Sequence, residues 1–336
     1  SDNKIDSMTV VATNGSQQLG TISLSPPQDL PKSDQVNISD KRVEYSTKTW
    51  SARLPWYWHK AGLILTLKSN TGLTQTVSGI EFSAPSELVL QHIRIGMLTA
   101  APGPTFLETN PEMAAIDYFQ KIPVSRLIVS QYNPINLNKV TLANGTVYTS
   151  SSSDWGGVYS GDMREYIGKA LISTGINLAN YGISSSGGTS QYQPAHYMQI
   201  VVHHSIGKYG NGVQQHGLSG GNGMATLYGT QGNEFSHELG HNYGLGHYPN
   251  GFAGSFHTRT TGWGYDTLRH RMIGNTNPWA TDETFMDGQT VGKFGDHPYG
   301  KDAMAGGFPM GDVSQYTQHT GYVATVIQKA FETFGV

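Results

Sequence analysis

The 336-residue chain contains no cysteine. Disulfides are therefore excluded, as are thiolate metal sites and any latency device in which an internal thiol caps a metal. Charge is scarce as well. Asp, Glu, Lys and Arg make up 13% of the residues, about half the usual share of a soluble protein. The net charge of −3 offers no basic footprint for a nucleic-acid partner. No stretch approaches the roughly 18 apolar residues that a membrane-spanning helix needs. The opening Ser1-Asp2-Asn3-Lys4 has no charged-then-apolar export pattern, so any such signal is expected to lie outside this sequence.

Glycine, by contrast, is abundant at 42 residues, and 18 tyrosines are spread along the length. With many Ser, Thr, Asn and Gln, this mixture points to a loop-rich, β-containing fold with a neutral polar surface rather than to disorder. The length allows two domains. Residues 1–90 alternate short apolar segments, such as Met8-Thr9-Val10-Val11 and Gly62-Leu63-Ile64-Leu65-Thr66-Leu67, with turn formers such as Pro26-Pro27 and Ser69-Asn70-Thr71-Gly72. That spacing predicts a small antiparallel β domain, with a boundary between Pro85 and Leu90.

Residues 91–336 change in pattern. Leu88 to Leu98, Val124 to Val129 and Tyr197 to Val202 read as strands, the last two as buried ones. Pro111 to Gln120, Asp162 to Asn180, Asn233 to Tyr243 and Thr317 to Phe334 read as helices. The expected fold class is α+β, a mixed sheet closing on a C-terminal helix. There is no internal repeat, and a monomer is expected.

The chemistry concentrates in His237-Glu238-Leu239-Gly240-His241-Asn242-Tyr243-Gly244-Leu245-Gly246-His247-Tyr248. Histidines four apart on a helix stand about 40° apart around its axis and one turn along it, so both imidazoles reach one ion. Glu238 beside the first ligand is placed for the attacking water rather than for the metal. His247 on a continued helix would lie about 15 Å along the axis from His237, out of reach. Gly244 falls where the helix must stop, because glycine takes the left-handed conformation that ends helices at little cost. A turn there returns His247 to complete three nitrogens, leaving a fourth position open, as catalytic rather than structural zinc requires. The expectation is one catalytic Zn²⁺, with Glu238 as general base taking the proton of a zinc-activated water and passing it to the leaving amine. An ordinary helix with surface histidines would leave the glycines at 240, 244 and 246 unexplained, since each costs about 1 kcal/mol in a helix interior.

This eleven-residue motif resembles the metzincin clan, whose members carry a methionine in a tight turn beneath the three histidines. Of Met272, Met286, Met304 and Met310, Met304 in Asp302-Ala303-Met304-Ala305-Gly306-Gly307 is the choice, being turn-like and preceding the last helix. Some metzincins add a tyrosine ligand two residues later; Gly306 stands there, so no such ligand is implied. The motif, with Asn233-Glu234-Phe235-Ser236, Ile95-Gly96-Met97-Leu98-Thr99 and Ile122-Pro123-Val124-Ser125-Arg126, is similar to the dictomallein family, which includes the secreted protease of C1 esterase inhibitor, a bacterial mucinase. The resemblance implies a metzincin-type catalytic domain and a secreted bacterial endopeptidase acting on O-glycosylated, mucin-like proteins. One departure stands out: where the mucinase pattern has Trp-His before Ser-Gly-x-Met-Arg, this chain has Val158-Tyr159, so its glycan preference is expected to differ or be looser.

Substrate contacts are weaker signals. The glycine-rich stretch with Gly221, Gly223 and Met224 is expected to offer an open strand edge to an extended peptide, and reads equally as a plain loop. Trp155, Tyr159, Trp263, Tyr265 and Trp279 are candidates to stack on sugar rings, although each alone is more often packing; Tyr248, directly after the third histidine, is better placed to touch substrate or the oxyanion. His203-His204 and His257 read as structural or exposed rather than as a second metal site. Asp282, Glu283 and Asp287 show no dense calcium-ligand pattern. A general metzincin protease without a glycan requirement, and a glycan-binding adhesin with an inert zinc site, are the competing functions.

Overall fold

The computed structural model describes residues 4–30, 32–33, 45–82, 86–182, 195, 197–258, 263–283, 285–310 and 313–334, with the side chains of Tyr181, Trp263 and Phe334 outside that description. Two main sheets organise them, and the fold is α+β. The first is antiparallel, built from β1 (Met8–Asn14), β2 (Gln17–Ser23), β3 (Leu63–Ser69) and β4 (Thr74–Val77) in the order β2-β1-β3-β4. Val10, Ala12 and Leu63 form its core with Trp58, which is 1% exposed.

The second sheet starts with β5 (Glu87–Met97). It begins before residue 90, so the first residues of β5, assigned by sequence to the N-terminal unit, belong to the second sheet. After α1 (Phe106–Thr109) and α2 (Pro111–Phe119) come β6 (Arg126–Gln131), β7 (Ile135–Leu137) and the two-residue strands β8 (Val140–Thr141) and β9 (Val147–Tyr148). A π-helical segment, Arg164–Ser173, runs into α3 (Thr174–Tyr181). Then follow β10 (Gln199–Tyr209), β11 (Gly212–Gln215), β12 (Ser219–Gly221), β13 (Met224–Thr226) and α4 (Gly232–Asn242). Beyond α4 lie α5 (Phe252–Ser255), the hairpin of β14 (Trp263–Asp266) and β15 (Arg271–Gly274), further two-residue ladders, and α6 (Gly321–Phe334). The sheet order is β12-β13-β10-β5-β6, with β12 antiparallel to β13 and the other four strands of that path mutually parallel.

Side-chain alternation along β5 and β10 places Leu88, Leu90, Ile200 and Val202 on one face, against Tyr118 of α2, Phe235 and Leu239 of α4, and Val323, Ile327 and Phe331 of α6. The other face carries Ile93, Ile95, Met97 and Val201 against Met163 and Ile167. Both faces are covered, so these strands are buried along nearly their whole length rather than on alternate residues. Three departures from the sequence reading have physical causes. Val124–Val129 is not a buried strand: β6 starts at Arg126 on a sheet edge and is only half-buried. Asp162–Asn180 is not one α-helix. The π winding of its first part changes the period, and Leu171, expected on the apolar face, is 61% exposed. β10 runs seven residues past Val202 to Tyr209, because the polar run His203-His204-Ser205 is buried within it.

That burial is offset by hydrogen bonds. His203 Nδ1 pairs with Ser173 Oγ at 2.6 Å and its Nε2 with Thr226 Oγ1. His204 Nδ1 donates to Leu227 O at 2.7 Å, and His92, whose ring centroid is 4.9 Å from that of His204, meets Thr105 Oγ1 at 3.2 Å. Burial holds His92, His203 and His204 well below the usual imidazole range, and takes His216 down to about 4. A depressed folded-state pKa means that the unfolded chain binds more protons below about pH 6.5. Stability is therefore expected to hold above that pH and to fall as pH drops towards 4, with roughly 3 kcal/mol from His216 alone. Urea midpoints between pH 7 and 4.5, taken in chelator, check this; His216→Gln, which cannot take up a proton, should flatten the curve.

Candidate metal centre

Helix α4 stops as the glycine pattern implies. Gly244 has φ +83°, its N–H donates to His241 O at 3.1 Å, and Leu245 N–H folds back to Gly240 O at 3.2 Å. This turn carries His247 against the two helical histidines. Ring centroids stand 4.9 Å apart for His237–His241 and His237–His247, and 5.1 Å apart for His241–His247. Each ring offers one nitrogen, and the three lie within 4.8 Å of one another; among the described residues no other trio of His, Asp or Glu is so placed.

The donor chemistry suits a metal. His237 Nδ1 donates to Ala303 O and His241 Nδ1 to Leu245 O, both at 2.8 Å. A carbonyl only accepts, so the proton sits on Nδ1 and the Nε2 lone pair is left for the ion. Burial lowers both imidazoles, His241 to about 4 despite the carbonyl of Leu245, which keeps them neutral and competent as ligands. Glu238 is 5% exposed, and its Oε2 lies 3.8 Å from His241 Nε2. Burial pushes its carboxyl up to about 8, the Glu234 carboxylate adding to the rise and the Gly220 N–H opposing it. A cation held by the imidazoles also opposes the rise.

Met304 lies in the buried turn Ala303–Ala305, closed by Asp302 Oδ1 accepting Met304 N–H at 2.8 Å and by Gly306 at φ +77°. A Cβ on Gly240 would stand 2.3 Å from Met304 Sδ, which explains a glycine in mid-helix. The same turn supplies Ala303 O to His237, and Met304 O accepts Tyr248 N–H at 3.2 Å. Met304 therefore sits directly under the histidine helix.

The trio opens into a cleft of about 720 Å³ lined by Tyr159, Leu218, Gly220, Glu234, Glu238 and Gly306 among others. β12 is the last strand of the described sheet and borders this cleft through Gly220, with Leu218 just before it. A Cβ on Gly220 would stand 1.9 Å from the backbone oxygen of Glu238, so only glycine lets the strand lie on α4. Gly220→Ala is expected to lower stability by about 3 kcal/mol, since the clash is with backbone that cannot yield. Gly175→Ala, which meets nothing within 4 Å in α3, should raise it by about 0.5–1 kcal/mol. Thermal denaturation of the pair gives the two signs.

Of the other candidates, Tyr159 lines the cleft and is 57% exposed. Tyr248 is 49% exposed with φ +50°. Trp155, Tyr265 and Trp279 are exposed and are not among the cleft-lining residues. Gly221 and Met224 pair with each other across the β12–β13 hairpin. Met224 is buried on an inner strand, and Gly223 has its N–H on Asn242 Oδ1 and its carbonyl on Val201 N–H. Among the described residues the outer edge of the sheet is thus that of β12, not that of β13. His203, His204 and His257 are buried, and Asp282, Glu283 and Asp287 are exposed. Three residues in this region escaped the sequence reading. Glu234, one turn before Glu238, fastens Leu218 and Tyr228 through its Oε1. Asn242 ties α4 to Gly223 and Met224. Asp302 shapes the Met304 turn and accepts Thr320 N–H at 2.6 Å. Capping-type carboxylates and amides are too common in sequence to announce such roles.

The sequence profile of the peptidase M66 family matches residues 39–334. The chain belongs to the peptidase M66 family. It is 46% identical over 318 residues to the ToxR-activated gene A lipoprotein of Vibrio cholerae serotype O1, covering 91% of this chain and 32% of that protein. It is 43% identical over 305 residues to the metalloprotease StcE of Escherichia coli O157:H7, covering 89% of this chain and 34% of that protein. The chain thus spans about a third of the length of the curated relatives it matches. Membership implies a metal, and the histidine trio is where the described residues can hold one. No helix among the described residues is long and apolar enough to cross a membrane.

Proposed function

We propose that this chain is the peptidase portion of a zinc endopeptidase of metzincin type, exported or surface-attached, that cleaves O-glycosylated, mucin-like polypeptides. The observation that carries the reading is the convergence of the three imidazoles and the Glu238 carboxylate at the floor of one open cleft. The metal is assigned to His237, His241 and His247, with Met304 as the methionine of the turn beneath them. Zinc bound there would polarise the scissile carbonyl and acidify water. Glu238 accepts the proton of the attacking water and delivers it to the departing amide nitrogen. The edge of β12 aligns the substrate in extended form, reading backbone rather than sequence. The substrate class rests on the family resemblance and on the relative whose name is metalloprotease StcE; Tyr159 and Tyr248, and less directly Trp155, are the candidates to meet its sugars. The division into an N-terminal β domain and a peptidase domain is part of the proposal, and is best drawn before Glu87.

Digestion of one mucin before and after enzymatic removal of its O-glycans tests this reading. Cleavage is expected only of the glycosylated form, abolished by chelator and restored by zinc. Equal cutting of casein would favour a protease with no glycan requirement, and binding of mucin without any cutting would favour the adhesin.

A further inference from the structure

A second depression of about 440 Å³ lies beside the cleft, lined by Pro102, Pro104, Ile206, Gln215, Tyr228 and Thr230 with their neighbours. The loop that follows the carboxyl end of β5 contributes to it, in keeping with the tendency of ligands to gather outside the carboxyl ends of parallel strands. Its lining shares no residue with that of the metal cleft, but one side chain joins the two. Oε1 of Glu234, a cleft residue, accepts both Leu218 N–H at 2.9 Å and Tyr228 N–H at 2.8 Å. One carboxylate atom therefore holds a residue of the cleft and a residue of the groove together. The Tyr228 ring lies against Gly217, where a Cβ would be 2.6 Å from Cδ2, and Gln215 precedes Leu218 by three positions.

We propose that this groove is the subsite for the part of the substrate that follows the cleaved bond, and that it accepts an extended, uncharged polypeptide segment. The proposal rests on the peptidase reading above. Direction follows from strand geometry. The Gly220 N–H meets the Glu238 carboxylate, so the bond under attack lies level with Gly220. A peptide adding antiparallel to the outer edge of β12 runs against its chain sense. Residues after the cleaved bond therefore pass Leu218 and continue towards Gln215. At about 3.3 Å per residue, the five positions from Gly220 to Gln215 carry the substrate to roughly its third to sixth residue downstream.

Selectivity follows from what lines the groove. Its side chains come from Pro, Thr, Phe, Ile, Gln and Tyr, with glycines between them. None ionises near neutral pH, so a charged substrate side chain entering it would lose water without gaining a partner. Small hydroxyl, alanine and proline residues lose little by entering, and the Tyr228 ring offers a face on which a proline can pack.

The test uses the whole chain. Mass spectrometry of a mucin digest locates a cleaved bond, and O-GalNAc peptides are then made that end two or eight residues after it. Binding to the Glu238→Gln protein is read by fluorescence anisotropy, and kcat/KM is read on the unmodified chain. The longer peptide is expected to bind at least 10-fold more tightly than the shorter. In Gln215→Glu/Gln231→Glu, long peptides bearing Lys at the fourth to sixth downstream positions should bind about 10-fold more tightly than those bearing Asp, a preference that misfolding cannot imitate. Equal binding of the two lengths, or no change of charge preference in the variant, overturns the proposal while leaving the peptidase reading intact. A chain that cuts no protein in the initial digest removes both.

Discussion

Glu238→Gln is expected to keep its metal and to lose hydrolysis by about 10²–10⁴-fold, the range that a positioned proton-transfer group contributes. The substitution preserves shape, and an amide oxygen can still accept the Gly220 N–H that the carboxylate accepts now. What disappears is the only function an amide cannot supply, taking up and returning a proton. Metal content should stay at the level of the unsubstituted chain, because the proposed ligands are the three imidazoles and not the carboxylate. Stability should not fall and should rise slightly, because burial disfavours the charged carboxylate at this position and a neutral amide is exempt from that cost. The measurements are kcat/KM, the zinc-to-protein ratio and the thermal midpoint. Retained turnover would move the base elsewhere, and the nearest alternative is poorly suited: Glu234 already holds backbone N–H groups of Leu218 and Tyr228.

His247→Ala should abolish activity and reduce zinc affinity by more than the roughly 10–100-fold typical of losing an outer partner of a ligand. Two imidazoles one helical turn apart remain, oriented by Ala303 O and Leu245 O, but no third nitrogen closes the site. Because an ion that binds only the folded state stabilises it by mass action, added zinc should raise the melting temperature of the unsubstituted chain and leave that of His247→Ala almost unmoved. His247 is the informative position of the three. It is the exposed imidazole of the trio and stands outside α4, so its removal costs little packing. A variant that still binds one zinc per chain with unchanged affinity would overturn the ligand assignment.

How much of this was legible beforehand depended on how local the cause was. The histidine spacing, the helix stop at Gly244 and the strands of the antiparallel sheet follow from periodicity and glycine conformation within a dozen residues. The sequence pattern ends β10 at Val202 because a buried His203-His204-Ser205 run looks polar; its partners, Ser173, Thr226 and Leu227, come from two other segments. From sequence the glycine-rich stretch around Gly221, Gly223 and Met224 reads equally as an open strand edge and as a plain loop. It folds into a hairpin, and only the sheet order reveals that β12 is outermost while β13 is interior. Glu234, Asn242 and Asp302 are illegible in sequence for a related reason: each bonds a backbone N–H or carbonyl 16 to 19 residues away.

The sequence alone determined that the three imidazoles converge, because two histidines four apart with a glycine stop before the third constrain the backbone whatever surrounds them. Tertiary structure alone decided the shape of the cleft. Which edge stays open, which tyrosines border it, and how closely β12 and the Met304 turn press on α4 all depend on packing between segments that are distant in the chain, where a fraction of an ångström separates contact from clash.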